Sequence, residues 1–288
     1  MSKPAAQYFL ELLSHTSLRT LYRLGDAIAF VVRYTANRET RQTRQNIAVC
    51  FPALDSRAQK TLYREVIRHT CYSLVELPAL WCWAPERVME CITTVDVCDS
   101  FHQSTRGRII LAPHIGAWET LPVWLGKTTS NPMFLYKRRK NRDLDQFVIQ
   151  ARARAGGVPV STKKSGLRQL LVGLKKDGCV TILPDQKPRS NKVWIESSFF
   201  ALQAPTTTLV HSLCSKIDCD VFIAAVTRSA PAGEFSLSIQ PLDHARLGGD
   251  KIESAQYMND QIEQLARRFL EQYQWSYRRF SNRVYEPG

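Results

Sequence analysis

Apolar residues recur at helical spacing through the first third of the chain, and give way after it to short, densely apolar runs. Residues 7–34 read as two helical stretches. Tyr8, Phe9, Leu12 and Leu13 share a face of the first, and Leu21, Leu24, Ile28, Val31 and Val32 follow at helical spacing in the second. Such amphipathic stretches serve equally a helix packed on a domain and one lying in a bilayer interface. Asp55, just after Phe51-Pro52, begins another helix through Leu62, Val66, Cys71, Leu74 and Val75 toward Leu80.

From about residue 93 the period changes. Residues 108–112, 132–136, 179–183 and 220–227 read as buried strands, and 235–239 alternates as an antiparallel edge strand would. Between them, 143–154, 165–176, 206–215 and 254–272 read as helices, the first two ended by Gly156-Gly157 and Gly178. Strands alternating with helices predict an α/β fold, a mostly parallel central sheet flanked by helices behind a helical N-terminal region. No internal repeat, low-complexity run or linker interrupts it.

Composition adds a partner class. At 288 residues, 44% apolar and 23% charged, the chain has the makings of an ordered core. Its net charge of +13 calls for an acidic partner, whether nucleic acid, anionic lipid, or a phosphorylated or carrier-bound substrate. Nucleic acid is disfavoured, because none of the usual recognition modules is present. Arg38, Arg41 and Arg44 lie three apart, near one helix face. Beside the apolar helices they suit an anionic membrane surface, at about 1 kcal/mol per basic residue; a solvated face is the plainer reading. The division expected is therefore a helical, membrane-associating region over 1–45 and one α/β domain over 46–288. The apolar run at 18–34 is broken by Arg19, Arg23, Asp26 and Arg33, and spanning needs about 20 apolar residues. No signal-peptide pattern is evident, so the chain is expected to be soluble or to lie on a membrane. Eight cysteines without a C-x-x-C pair read as reduced, mostly buried thiols in a cytosol-facing protein. His15, His69, His102, His211 and His244 have no partner at a telling spacing, so no metal site is expected.

The sharpest chemistry lies at 109–119, IILAPHIGAWE. A buried strand ends at Pro113, a turn carries Gly116, and a helix begins near Ala117. His114 thus sits at the carboxyl end of a strand, where open α/β sheets place ligands. On one helix, residues five apart point about 140° apart, but the turn lifts that constraint, so Glu119 and His114 can meet. An imidazole takes a proton from a hydroxyl, and a carboxylate on its other nitrogen fixes the tautomer. From spacing alone the pair is a weak signal, since a His and a Glu five apart recur by chance.

His114 and Glu119 match the H-x-x-x-x-D/E motif of the glycerolipid and lysophospholipid acyltransferase superfamily, and the chain resembles the branch that completes lipid A. Four further blocks carry the resemblance in order. Arg44-Gln45-Asn46-Ile47 with Cys50-Phe51-Pro52 is similar to the R-x-N-L…C-F-P signature. The stretch from Tyr136 to Arg154 resembles the Y-R-P-x-x-N-x-x-L-D segment and its following arginine. Pro184-Asp185-Gln186-Lys187-Pro188, then Phe199-Phe200 and Thr206, resembles D-Q-x-P…F-F-G…A-x-T. Trp275-Ser276-Tyr277-Arg278-Arg279-Phe280 resembles W-x-x-R-R-F. The chain departs from the pattern at Lys137-Arg138, at Ala201 where glycine is usual, and at Trp194 and Glu196. The departures leave acceptor and acyl length open.

The resemblance implies a donor, acyl carrier protein carrying a thioester, and an acceptor, the hydroxyl of a lipid A precursor, at the cytoplasmic face of an inner membrane and without a cofactor. It implies that His114 is the general base and Glu119 holds it. Backbone amides around Gly116 and the side chain of Arg152 are the candidate oxyanion donors. Asp185 has a structural or substrate-positioning role beside His114, and Asn141 and Asp145 brace Arg152 or cap a helix. Phe199 and Phe200 pack the core rather than line an acyl tunnel. Lys163, Lys164, Arg168, Lys175 and Lys176 offer docking for acidic partners. Another glycolipid or lysophospholipid acceptor, or a thioesterase using water, remains open.

Overall fold

The structure is a computed structural model that describes residues 5–136, 141–188, 193–229 and 233–285. Its N-terminal third is helical. α1 (Ala5–Ser14) is followed by α2 (Leu18–Val32), whose first turn is capped by the Ser17 hydroxyl accepting from the Thr20 N–H. Asn37 caps α3 (Arg38–Cys50), and Asp55 caps α4 (Ser56–Val75) by accepting from the Ala58 N–H. The short helices α5 (Leu77–Cys82) and α6 (Pro85–Glu90) each carry proline in the first turn, where no N–H is missed.

The remainder alternates strand and helix. In chain order it runs β1 (Ile92–Val97), α7 (Asp99–Gln103), β2 (Arg108–Leu111), α8 (Leu121–Thr128) and β3 (Pro132–Tyr136). Then come α9 (Arg142–Ala153), β4 (Val158–Ser161), α10 (Lys164–Leu174), β5 (Cys179–Ile182) and the hairpin β6 (Trp194–Phe199) and β7 (Leu202–Thr207). The chain closes through α11 (Leu209–Cys214), β8 (Asp220–Arg228), β9 (Phe235–Leu242), α12 (His244–Gly248), α13 (Lys251–Arg268) and α14 (Asn282–Tyr285).

Seven strands form one sheet in the order β1-β9-β8-β2-β5-β3-β4, and β6 pairs with β7 apart from it. Every neighbouring pair in the large sheet is parallel except β8 with β9. The expected α/β architecture is therefore present. The strand near 235 is antiparallel, as expected, but it is not an edge, because β1 pairs along its outer side. β1 gives little sequence signal: four of its six positions are exposed. The helix expected from 206 begins at Leu209, because 206 and 207 belong to β7.

Alternate residues of the central strands feed opposite faces. Ile109 and Leu111 join Val180, Ile182 and Ile223 on one side, with Ile47 of α3 and Val66 of α4. Ile110 and Ala112 join Cys179, Phe222 and Ala224 on the other, with Leu18, Leu21 and Tyr22 of α2. The boundary placed at 45/46 falls inside the continuous helix α3, and helices on either side of it bury residues against the sheet. All eight cysteines are free thiols, five of them buried. Among the described residues, no helix is long and apolar enough to cross a membrane.

Candidate active site

The site begins with strand register. Leu111 at the end of β2 is the partner of Ile182 at the end of β5. The strands are parallel, so residues equally far past these partners lie at one level. His114 and Asp185 are each three residues beyond. The His114 backbone N–H donates to Asp185 Oδ2 at 2.9 Å, and the ring Nδ1 lies 2.8 Å from Oδ1. A carboxylate only accepts, so Nδ1 carries the proton and Nε2 presents a lone pair. Gln186 Nε2 donates to that lone pair at 3.2 Å and also reaches Gln274 Oε1 at 3.3 Å.

Asp185 is 3% exposed. Burial alone would raise its pKa, but the His114 charge and the hydrogen bonds from the His114 ring and backbone outweigh it and hold the carboxyl below its ordinary value. The His114 side chain keeps 10% exposure and opens on a cleft of about 80 Å³ lined also by His69, Ser73, Leu74, Trp118 and Gln274. The Trp118 ring meets the imidazole edge-on at 4.9 Å.

Glu119 does not hold His114; among the described residues no hydrogen bond joins them. A single 3-10 turn, Trp118–Thr120, follows the Gly116 bend and carries Glu119 toward α9 instead. There Arg152 grips it with two hydrogen bonds, Nε to Oε2 at 2.9 Å and Nη2 to Oε1 at 2.5 Å. Trp81 Nε1 adds a third to Oε2 at 3.3 Å. Burial would lower the Arg152 pKa, but the Glu119 charge and hydrogen bonds outweigh it and raise it. Among the described residues Arg152 Nη1 has no partner, and its guanidinium carbon sits 5.4 Å from the centroid of the Trp118 ring. Arg152 and His114 thus flank one indole.

Gly116 is required by its backbone. Its φ is +59°, and a Cβ there would stand 2.2 Å from the Val226 carbonyl oxygen. The expectation that amides around it serve an oxyanion needs correction. The Gly116 N–H donates to Gln272 O at 3.0 Å and the Ala117 N–H to Val226 O at 2.7 Å, so both are engaged. Gly116 O accepts from Arg228 Nη2 at 3.0 Å. Arg228 is itself locked to Glu76 at 2.6 Å in a buried ion pair.

Asn141 caps α9, accepting from the Asp143 and Leu144 N–H groups, so its carbonyl serves the helix start rather than Arg152. Asp145 is buried in that helix's first turn. Lys137-Arg138 lies outside the described residues. Phe199 and Phe200 are buried in the core with Trp275. The N- and C-terminal signature blocks meet: Asn46 Nδ2 donates to the carbonyls of Trp275 and Tyr277 at 2.6 and 2.8 Å. Gln186, Gln274 and His69 were not anticipated as site residues; Gln186 alone had a signal, its place directly after Asp185. At the other end of the sheet Cys214, Cys219 and His244 bring ligand atoms within 4.8 Å of one another, a grouping hidden by their sequence spacing.

A histidine at a strand end, with one nitrogen tied to a carboxylate and the other facing a cleft, gives this α/β protein the makings of an enzyme that draws a proton from a hydroxyl. Comparison with known proteins narrows the class: residues 5–282 match the family model for bacterial lipid A biosynthesis acyltransferase. The chain belongs to that family and is an acyltransferase of lipid A biosynthesis. It is 27% identical over 263 residues to the lipid A biosynthesis palmitoleoyltransferase of Escherichia coli, covering 90% of this chain and 84% of that protein. It is 21% identical over 273 residues to a lipid A biosynthesis acyltransferase of Haemophilus influenzae, covering 93% and 84%. Among solved structures, the 1-acyl-sn-glycerophosphate acyltransferase of Thermotoga maritima matches 80% of this chain and 95% of its own at 14% identity, with a TM-score of 0.35.

Proposed function

We propose that the chain performs a secondary acylation, moving a fatty acyl group from an acyl carrier protein thioester to a hydroxyl of a lipid A precursor. The observation that carries the mechanism is the contact of Asp185 with His114 Nδ1 at 2.8 Å, beside a cleft that His114 lines; it supports Nε2 as the proton acceptor. The acceptor hydroxyl displaces Gln186 and gives its proton to Nε2 as its oxygen attacks the thioester carbonyl. The tetrahedral intermediate places its negative oxygen toward Arg152 Nη1. Collapse breaks the carbon–sulfur bond, and the imidazolium returns the proton to the departing thiolate. Glu119 sets the position of Arg152, and Asp185 stabilises the imidazolium. No step needs a metal or cofactor.

The setting follows from the surface. Tyr8, Phe9 and Leu12 of α1 and Phe30 and Val31 of α2 are exposed, which supports α1 and α2 lying on the cytoplasmic face of the inner membrane. Lys163, Arg168, Lys175 and Lys176 offer an acidic carrier protein complementary charge.

Mass spectrometry of the reaction of purified protein with mixed acyl carrier protein thioesters and a tetra-acylated lipid A precursor tests the reading. One acyl mass is gained by the acceptor, and His114→Ala lowers the rate by about 10²–10⁴. No gain from an active donor pool would sink the acceptor assignment. Free fatty acid as the main product would make the enzyme a thioesterase.

A further inference from the structure

Away from His114, the end of α2 and the facing sides of α3 and α4 enclose a groove of about 570 Å³. Arg33, Arg44, Lys60 and Arg64 line it, and among the described residues no acidic one does. Among the described residues none of the four forms an ion pair. Rings and a carbonyl set the positions of Arg33 and Arg44 instead. The Arg33 guanidinium lies 4.3 Å from the Phe30 ring centroid and 4.9 Å from that of Tyr34, and Arg44 lies 4.6 Å from that of Tyr63. Arg44 Nη2 and the Tyr63 hydroxyl both donate to the Arg33 carbonyl, at 2.9 and 3.1 Å. Arg33 Nε is buried without a hydrogen-bond partner.

Four uncompensated cations around one groove repel one another, and a buried N–H of one of them is unsatisfied. A ligand with two negative charges and several acceptor oxygens relieves both. A phosphomonoester has that chemistry, and its oxygens suit guanidinium forks; a carboxylate or phosphodiester brings one charge only. Against Arg33, the rings of Phe30 and Tyr34 are 59% and 71% exposed. Aromatic side chains beside long basic ones suit the boundary between headgroups and acyl chains.

We propose that this groove binds the phosphomonoester headgroup of a membrane lipid. Arg64 and Ser73 are nine residues apart on α4, about 14 Å at helical rise, and Ser73 lines the cleft beside His114. A headgroup held by Arg64 therefore lies within one lipid's length of the reacting atoms. The inference deepens the proposed function and rests on its membrane setting.

Vesicle flotation of the full chain tests it without acyl transfer. Three vesicles are compared: phosphatidylcholine alone, and phosphatidylcholine with either phosphatidic acid or phosphatidylglycerol at matched surface potential. Wild type binds phosphatidic acid vesicles most tightly. Lys60→Gln with Arg64→Gln, at two exposed positions, lowers that preference by about tenfold, with unchanged binding to phosphatidylcholine and an unchanged melting temperature. Equal binding to the two anionic vesicles, or an unaltered preference in the double variant, overturns the phosphomonoester site while the membrane setting stands. No flotation with any vesicle removes the membrane setting and the site together. Stabilisation of lipid-free protein by millimolar glycerol phosphate, with no preference among vesicles, assigns the groove to a soluble phosphate and overturns the lipid.

Discussion

The carboxylates of Asp185 and Glu119 differ in what their removal leaves behind. Asp185→Asn keeps the shape and can still accept from the His114 backbone N–H, but an amide neither fixes the Nδ1–H tautomer nor stabilises an imidazolium. We expect kcat to fall by about 10²–10⁴, with some loss of melting temperature, because the carboxylate held below its ordinary value also stabilises the fold. Glu119→Gln instead strands Arg152, whose side chain is only 14% exposed, and breaking such a buried pair costs about 3–5 kcal/mol. It therefore loses thermal stability along with activity, as paired melting and steady-state measurements will show. An active Asp185→Asn beside an inactive, fully stable Glu119→Gln would return Glu119 to the role of orienter. His114 was legible because one short motif places it at a strand end. Its partner Asp185 was placed beside it only by the family resemblance, and spacing alone could not show it: β3 and β4 intervene between β2 and β5 in sequence but not in the sheet, so 71 residues separate His114 from Asp185. Once the Leu111–Ile182 register is known, the pairing follows from counting three residues along each strand.

At the scale of elements, the β6–β7 hairpin shows a local cost that the sequence already marked. Its two-residue loop puts Phe200 at φ +51° and Ala201 at φ +59°, the double left-handed turn that matches strand twist and favours glycine. The Phe200 N–H donates to Glu263 Oε2 at 2.5 Å, fixing the turn against α13. Phe200 is held by core packing, whereas Ala201 is exposed and gains nothing from its methyl group. Ala201→Gly should therefore stabilise the protein by about 1 kcal/mol, a rise of roughly 2 °C in melting temperature for a chain of this size, measured by differential scanning calorimetry. An unchanged or lower midpoint would mean that the turn carries no such strain. The long elements were readable from period alone. β4, four residues long with a proline, and β1, mostly exposed, gave no apolar alternation to read. With β1 unseen, β9 took the place of an edge.

Over the whole molecule, the positive charge that first pointed to an acidic partner also shapes the response to acid. His69 on α4 feels the charges of Arg68 and Arg228, and it lines the cleft that His114 opens on. Burial first, then those two guanidinium groups, lower its pKa to about 3. The unfolded chain protonates this imidazole near 6.5. Between the two values the unfolded state binds one more proton than the folded state, so stability rises with pH across that window and is lost as pH falls through it. The slope from this one residue is about 1.4 kcal/mol per pH unit. Asp185, with its carboxyl held low, acts in the same direction but only below the unfolded carboxyl value near 4. Glu86, Asp26 and Asp250 are also held low and act near and below pH 4.5, so urea unfolding of wild type beside His69→Gln at pH 5, 5.75 and 6.5 isolates the histidine. His69→Gln should flatten the dependence by one proton; an unaltered slope would mean that His69 takes up its proton in the folded state as readily as in the unfolded one. A neutral His69 also places no cationic imidazole in the cleft that His114 opens on, so the proton chemistry there falls to His114.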